Sequence, residues 1–167
     1  MALTPTLEGM CSKADWCRRD VLEAVLGLAR EIARQSGEGR RTGALFTIGR
    51  ANDVLRRSRA LILDPLLGHE PAALHVTNPD LRGTIKVLAE LDGAFVFAED
   101  GTVVGACRYL DVPAEGVDVP LGLGSRHVAA ASISKQLSIV AIAVSETGAV
   151  RVFFNGELVY DLEAEKG

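Results

Sequence analysis

Apolar residues follow a helical period near the start of the chain. They recur every three or four positions at Val21, Leu22, Val25, Leu26, Leu28, Ala29 and Ile32. This spacing predicts an amphipathic helix of about five turns with one apolar face. Ser12 and Asp15 have the shape of a capping box ahead of it, and the residues before them suggest a loose lead-in. Glycines at positions 37 and 39 predict its end.

Several short apolar runs bounded by turn residues indicate β-strands. Asp100-Gly101 and Asn155-Gly156 each separate two such runs, and Asp-Gly and Asn-Gly favour the tight turns of β-hairpins. The runs at 42–50 and 139–144 are apolar enough for buried strands. The predicted strands are residues 42–50, 95–98, 102–106, 139–144, 150–154 and 157–160.

Two further helices are predicted between these strands. Asn78-Pro79-Asp80 forms a turn that can open a helix, and the apolar spacing of residues 81–91 continues it. Residues 129–137 are rich in alanine and follow a loop rich in proline and glycine at 113–124. The alternation of helices and strands predicts an α/β or α+β fold of a single domain, with a central mixed sheet covered by helices.

Composition and charge exclude several classes of protein. The chain has 167 residues, of which 48% are hydrophobic and 24% charged, so a wholly disordered chain is excluded. The net charge of -4 argues against nucleic-acid binding by a basic surface. The longest apolar run, residues 137–144, is far shorter than the roughly 20 residues of a membrane span. We therefore expect neither a nucleic-acid nor a membrane partner for this chain.

Cysteine and histidine usage points to a reducing compartment. Three cysteines without a Cys-x-x-Cys pair indicate neither a disulfide framework nor a zinc cage. Three scattered histidines do not form a metal-binding motif, and the N-terminus lacks the basic and apolar regions of a signal peptide. A cytoplasmic location is the expectation.

The segment Gly124-Ser125-Arg126-His127 lies directly before the alanine-rich helix. Free N–H groups and positive partial charge at a helix N-terminus attract phosphate. Ser125 is predicted to cap the helix, the forked guanidinium of Arg126 suits phosphate oxygens, and His127 can bind phosphate or a metal. A glycine loop with a serine cap and a solvated arginine accounts for the same residues equally well.

Two other polar segments lie beside predicted strands. Asp92-Gly93-Ala94 precedes one strand, where the carboxylate could bind Mg²⁺ or Mn²⁺ or help to deprotonate a hydroxyl. Ser145 and Glu146 follow another strand, where polar residues often line a ligand crevice. Ordinary turns explain both segments when each is taken alone.

The order of these motifs resembles that of the diadenylate cyclase (DAC) domain family. The resemblance covers residues 20–162, with residues 1–19 as lead-in and helix start and 163–167 as a tail. It rests on a first strand with the sequence TGALFTI and on the segments DGA, CRYL, GSRH, SE and NGEL. These segments begin at Thr42, Asp92, Cys107, Gly124, Ser145 and Asn155.

The resemblance implies that two ATP molecules condense to cyclic di-AMP with release of two pyrophosphates. It also implies that Mg²⁺ or Mn²⁺ assists, and that two facing copies of the chain each hold one ATP in a homodimer or higher homo-oligomer. Chemistry of this kind relies on positioning and on donors aimed at the phosphates.

Roles for individual residues follow from the same resemblance. Asp92, Arg126 and His127 would be catalytic, and Asp92, His127 and Glu146 would bind metal. The residues that would bind ATP are Gly93, Ala94, Tyr109, Leu110, Gly124, Ser125, Arg126, Ser145 and Glu146. Tyr109 and Leu110 would pack on adenine, because an aromatic face and an apolar side chain suit a base.

Val128 departs from the family pattern, in which Arg-His-Arg is more common than the Arg-His-Val of this chain. The change removes one cation from the expected phosphate site. A second interpretation is therefore a weak or inactive module of the same fold that binds ATP or cyclic di-AMP and regulates a partner. A third is a structural module that docks through its first helix and binds no nucleotide.

Overall fold

The computed structural model describes residues 3–13, 17–37 and 42–162, and seven strands in this part of the chain form one sheet. The strands are β1 (Ala44–Ile48), β2 (Ser58–Ala60), β3 (Ala94–Phe97), β4 (Val103–Leu110), β5 (Val140–Val144), β6 (Val150–Phe154) and β7 (Glu157–Leu162). Their order across the sheet is β2-β4-β3-β1-β5-β6-β7. Only β1 and β3 pair in parallel, so the predicted mixed sheet is confirmed.

Helices cover both faces of the sheet. They are α1 (Pro5–Lys13), α2 (Arg19–Gly37), α3 (Ala51–Arg56), α4 (Pro79–Leu88) and α5 (Ser125–Leu137), with a short 3-10 helix at Pro71–Leu74. Buried residues of α1, α2 and α4 share one hydrophobic core with the sheet. Val54 of α3 and the buried apolar residues of α5 belong to a second core on the other face.

The two cores contain different residues, because side chains alternate between the two faces along each central strand. Successive residues of a strand point to opposite faces of its sheet. Phe46, Phe95 and Phe97 belong to the core beneath α2, together with Ile48, Val140, Ile142 and Val144. Ala94, Ala141 and Ala143 belong to the core beneath α5. Small side chains on that face leave room for a helix close to the sheet.

The predicted loose lead-in is wrong, because residues 5–13 form helix α1. Leu3, Leu7 and Met10 are buried in the core shared with α2. Thr4 Oγ1 accepts a hydrogen bond from the Leu7 amide at 3.3 Å, and Pro5 occupies the first helical position. The apolar spacing of Leu3, Leu7 and Met10 and the Thr4-Pro5 start are signals in the sequence that indicate this helix.

The predicted capping box is not where a helix begins. Ser12 lies in the last turn of α1, where its hydroxyl donates to the Glu8 carbonyl, while Asp15 lies outside the described residues. Helix α2 begins at Arg19 and confirms the predicted amphipathic helix. Its apolar stripe is buried against the sheet, so that face is not available for docking a partner. The C-terminal tail at residues 163–167 also lies outside the described residues.

The turn chemistry of the sequence is well reflected in the structure. Both predicted hairpins form, β3–β4 and β6–β7. Asn155 and Gly156 adopt positive φ angles of 55° and 84°, as a tight hairpin turn requires. Asn78 caps α4 by accepting a hydrogen bond from the Asp80 amide. Among the described residues, no helix combines the length and apolar character needed to cross a bilayer.

Candidate active site

Helix α5 begins at one edge of the sheet because of the way it connects to β5. Ser138 ends the helix in the left-handed conformation, with φ 52°, and the chain enters β5 two residues later. Helix and strand therefore run in opposite directions, which brings the start of α5 to the edge where β5 ends. Ala44 pairs with Val144 and Ala94 pairs with Arg108, so the starts of β1 and β3 and the end of β4 meet at this edge too.

An open cleft of about 1090 Å³ lies at this edge of the sheet. Its volume is at the upper end of the roughly 300–1,000 Å³ typical of small-molecule sites. Every site residue predicted from the sequence lines it: Asp92, Gly93, Ala94, Tyr109, Leu110, Gly124, Ser125, Arg126, His127, Ser145 and Glu146. Four separate stretches of sequence thus contribute to one concave surface.

The start of α5 differs from the prediction by one residue. Gly124 occupies the N-cap position in an extended conformation, and Ser125 is the first helical residue. The predicted serine cap is therefore wrong, because the Gly124 carbonyl already accepts the first helical hydrogen bonds, from the His127 and Val128 amides. No hydrogen bond joins the Ser125 hydroxyl to another described residue, so the hydroxyl and the first free amides of α5 face the cleft together.

Arg126 lies across the backbone of Gly43, the residue before β1. A Cβ atom at position 43 would lie 2.5 Å from the guanidinium carbon, so the arginine side chain would have to move away. The glycine therefore provides the flat surface on which this side chain rests. The part of the chain that the structure describes offers Arg126 no ion-pair or hydrogen-bond partner, so its donors are available to a ligand in the cleft.

His127 is buried, with 4% of its surface exposed, and sits between Arg151 and Phe153. Arg151 Nη1 lies 3.1 Å from His127 Nε2, a hydrogen bond that requires the histidine nitrogen to accept. Burial lowers the pKa of His127 to about 4, and the charges of Arg151 and Arg126 add to this effect. His127 is therefore neutral at pH 7.

The backbone conformation at position 93 requires glycine. Its φ angle is 112°, and a Cβ atom would lie 2.5 Å from the backbone carbonyl carbon of Cys107 on β4. Cys107 itself adopts a φ of 55° at the irregular pairing of β3 with β4. The glycine lets the two strands approach each other, and this leaves the exposed Asp92 at the rim of the cleft.

The Ser145 hydroxyl closes the turn between β5 and β6. Its Oγ accepts a hydrogen bond from the Ala149 amide at 3.0 Å and lies 2.8 Å from Thr147 Oγ1. The turn reading of this segment is therefore confirmed, and the same turn presents the exposed Glu146 to the cleft.

Tyr109 and Leu110 form an apolar wall of the cleft at the end of β4. Leu110 is buried, whereas Tyr109 is 46% exposed. The guanidinium carbon of Arg59 on β2 lies 4.8 Å from the centre of the tyrosine ring. This contact holds the ring in place from one side by a cation–π interaction.

The three predicted metal ligands share the cleft but do not form a metal cage. Nowhere in residues 3–13, 17–37 and 42–162 do three histidine, cysteine, aspartate or glutamate side chains come together to hold a metal ion. Asp92 precedes β3 and Glu146 follows β5, and β1 lies between these strands. About two strand spacings, roughly 10 Å, separate them. Asp92 offers hard carboxylate oxygens that suit Mg²⁺ or Mn²⁺ when phosphate oxygens supply further ligands.

Sequence reasoning did not predict Arg151, which lines the cleft, or Gly43, which supports Arg126. Arg151 is the single charged residue of β6, and a charge within an apolar strand is a signal that could have been noticed. Gly43 belongs to a segment that contributed to the family resemblance, but its contact with Arg126 joins residues far apart in the sequence. Only the folded structure brings such a pair together.

A helix start with free amides beside an open cleft in a mixed sheet is typical of a nucleotide-binding domain. Residues 31–158 match the family described as "DisA bacterial checkpoint controller nucleotide-binding", and the chain belongs to that family. This confirms the family resemblance of the sequence motifs.

Two relatives carry the name diadenylate cyclase. The one from Methanocaldococcus jannaschii is 38% identical over 161 residues, which cover 96% of this chain and 51% of the relative. The one from Haloferax volcanii is 38% identical over 146 residues, which cover 87% and 53% of the two chains. The chain thus spans about half the length of the curated relatives it matches.

Solved structures support the fold. DacA from Staphylococcus aureus, in the form of a double mutant, superposes with a TM-score of 0.59 at 23% identity, covering 87% of this chain and 89% of that one. A protein from Bacillus cereus described as a hypothetical membrane spanning protein gives a TM-score of 0.60 at 22% identity, covering 84% and 62%. At such identities the likeness concerns the fold alone.

Proposed function

We propose that this chain is a diadenylate cyclase that condenses two ATP molecules into cyclic di-AMP and two pyrophosphates. The observation that carries the proposal is the convergence of all predicted site residues on one cleft at the start of α5. The two relatives named diadenylate cyclase, each 38% identical, support the same activity. We place it in the cytoplasm, where ATP is available and free cysteines stay reduced.

The reaction consists of two equivalent displacements. In each, the 3′-oxygen of one ATP bonds to the α-phosphorus of the other, and the bond from that phosphorus to the pyrophosphate oxygen breaks. The hydroxyl proton leaves to a carboxylate or to water. Such displacements depend on in-line positioning and on donors aimed at the phosphate oxygens.

The start of α5 is suited to hold the phosphates. Its first amides, the Ser125 hydroxyl and the Arg126 guanidinium, which has no polar partner in the described part of the chain, all face the cleft. Charge-assisted hydrogen bonds from such donors are about twice as strong as neutral ones. Buried and neutral, His127 contributes position and shape, because its Nε2 already accepts from Arg151.

Asp92 is the residue best suited to activate the attacking hydroxyl. It is exposed at the rim of the cleft, and no described residue forms an ion pair or hydrogen bond with its carboxylate. A bound Mg²⁺ or Mn²⁺ would neutralise developing phosphate charge and acidify the hydroxyl. Asp92 would hold that ion together with phosphate oxygens, and Glu146, about two strand spacings away, would not ligate it directly.

The adenine is best accommodated by Tyr109 and Leu110. The tyrosine ring lines the cleft at the end of β4, and Arg59 braces it from one side. An aromatic face and an apolar side chain suit a base. The irregular pairing of β3 with β4 near Gly93 keeps Ala94, at the start of β3, close to the apolar wall that Tyr109 and Leu110 form.

A second copy of the chain is required for the full reaction, because each cleft holds one ATP. Beside the cleft, residues 61–67 present a row of exposed apolar side chains: Leu61, Ile62, Leu63 and Leu67. Asp64 holds this segment in place, because its carboxylate accepts hydrogen bonds from the Leu66 and Ala106 amides. Apolar patches of this kind mark contact surfaces, and we propose that this one joins two protomers.

The oligomer proposal is tested by Leu63→Asp, at a side chain that is 94% exposed. We expect a smaller mass by light scattering and at least a tenfold loss of turnover, with ATP affinity unchanged. Val87→Asp on α4, at a side chain 66% exposed, is the matched control and should change neither quantity. An unchanged mass for Leu63→Asp would contradict this contact surface.

The activity itself is tested with purified protein, ATP and either Mn²⁺ or Mg²⁺, with products resolved by liquid chromatography and mass detection. We expect cyclic di-AMP from the unmodified chain and a loss of about 10²- to 10⁴-fold with Asp92→Asn. ATP binding without product would contradict the cyclase and favour the regulatory module. Absence of ATP binding would contradict both and favour a structural module.

A further inference from the structure

Arg151 of β6 is one of three arginines that line the cleft, with Arg126 of α5 and Arg108 of β4. The guanidinium of Arg108 is already bonded to Ser58 and to the Leu55 carbonyl. The Arg151 side chain is only 13% exposed, yet it lines the same cavity as Arg126 and His127. Burying a cation is costly unless its charge is compensated and its donors are used. The way in which Arg151 is held therefore indicates what its remaining donors are for.

Two contacts hold the guanidinium from behind and from the side. Arg151 Nε lies 3.1 Å from Asp161 Oδ1 on the neighbouring strand β7, an ion-pair contact whose geometry does not make a hydrogen bond. Arg151 Nη1 donates to His127 Nε2 at 3.1 Å. Asp161 does not line the cleft, so it orients the arginine without filling the cavity.

The donors of Nη2 have no hydrogen-bond partner in the described part of the chain. A guanidinium fixed by one edge presents its other edge in a defined direction, which is the arrangement that recognises phosphate oxygens. Arg126 lies one residue from His127 and also lacks a polar partner among the described residues. The two guanidinium groups thus flank the histidine at the start of α5.

We propose that Arg151 binds the phosphates of the nucleotide as a second guanidinium beside Arg126. The proposal rests on the proposed function, because it takes the ligand of the cleft to be ATP. It assigns a binding role to a residue of β6 and makes the β6–β7 hairpin part of the phosphate site.

The test compares ATP with adenosine, which lacks the phosphates. Calorimetric titration of the full chain should show that Arg151→Gln weakens ATP binding by about 10- to 100-fold, as expected for a hydrogen bond to a charged group. Adenosine binding should change by less than about twofold. Equal losses for both ligands, or no loss for ATP, would overturn the proposal.

Three further variants separate binding from folding. Arg151→Lys keeps the charge and the aliphatic stem without the forked geometry, and should lose less ATP affinity than Arg151→Gln. Arg56→Gln removes a cation whose side chain is 75% exposed outside the cleft, and should leave ATP affinity unchanged. Adding Val128→Arg to Arg151→Gln returns a guanidinium to the same cleft and should recover ATP affinity. No recovery, or an equal loss with Arg56→Gln, would contradict a specific role for the charge.

A parallel product assay separates this inference from the proposed function. Cyclic di-AMP from the unmodified chain, together with unchanged ATP affinity in Arg151→Gln, would overturn the role of Arg151 alone. Phosphate-dependent ATP binding through Arg151 without any cyclic product would support that role and contradict the cyclase.

Discussion

The two faces of the sheet are built from different residues and carry different tasks. Beneath α2, large side chains such as Phe46, Phe95 and Phe97 fill a thick core that is closed to solvent. Beneath α5, the sheet presents the small residues Ala94, Ala141 and Ala143, with Val96 and Phe153 in the same core. The first face holds the domain together, whereas the second lets a helix lie close to the strands and bring its start to the cleft.

The two helices reflect the same difference. Helix α2 has one apolar stripe and a charged outer side, as expected for a helix that covers a sheet. Helix α5 buries the small residues Ala130, Ala131, Ser132 and Ser134 together with Ile133 and Leu137. A helix packed by small residues on several sides is held in position more tightly, which suits residues that must meet a ligand. We therefore expect changes on the α2 face to affect mainly stability and changes on the α5 face to affect ATP binding as well.

The largest expected effect is on the α2 face. Phe46 is fully buried and stacks on Phe95, with ring centres 5.4 Å apart. Phe46→Ala should lower the free energy of unfolding by about 3–5 kcal/mol in urea titrations. ATP affinity of the protein that remains folded should be unchanged. A tenfold weaker affinity would show that this face is not separate from the cleft.

The second effect is a loss of folding stability at acidic pH, and it depends on His127 beside the cleft. The pKa of His127, lowered from 6.5 to about 4, means that below pH 6.5 the unfolded chain takes up a proton that the folded chain does not. Stability is therefore present above pH 6.5 and lost as the pH falls towards 4, by about 3 kcal/mol when complete. Asp161 opposes the shift, whereas Arg151 and Arg126 promote it.

His127→Gln provides the comparison for that acid effect, because glutamine does not titrate. Urea unfolding at pH 7 and pH 4.5 should show a steeper loss of stability in the unmodified chain than in the variant. An equal loss in both proteins would mean that His127 is not the group responsible.

The third effect links the sheet to the cleft through Gly43. Gly43→Ala places a methyl group against the Arg126 guanidinium and should lower cyclase activity by about 100-fold, since it misplaces a phosphate donor. In an Arg126→Ala background the same change should cost less than about twofold. Gly83→Ala is the control, because its new methyl group meets no atom within 4 Å. A full loss in the Arg126→Ala background would contradict an effect through the arginine.

The smallest expected effect concerns the same substitution, alanine to valine, made once on each face of the sheet. Ala141 and Ala106 are both fully buried, the first in the core beneath α5 and the second in the core on the opposite face of the sheet. Valine at either position should cost about 1–3 kcal/mol by overpacking. Only Ala141→Val should also weaken ATP binding by several-fold, because it displaces α5. Equal effects on ATP binding would contradict the distinction between the two faces.

The sequence predicted most of the secondary structure, since the signals are local. Asn78, Asp100-Gly101 and Asn155-Gly156 specify their cap and turns through neighbouring backbone groups. It did not predict α1, whose apolar spacing covers only three residues, or α3 and β2, which no strong period marks. The start of α5 was displaced by one residue because glycine and serine both favour the cap position.

The candidate site was likewise only partly predictable from the sequence. Its residue types and their order were visible in the sequence, and they converge on one cleft. The contact of Arg151 with His127 joins residues 24 positions apart. The contact of Arg126 with Gly43 joins residues that are even farther apart in the sequence. Hydrophobic period and turn chemistry act over a few residues and so determined the elements. Strand pairing and helix packing bring distant side chains together, so only the tertiary structure decided which cations meet in the cleft and that the pKa of His127 is lowered.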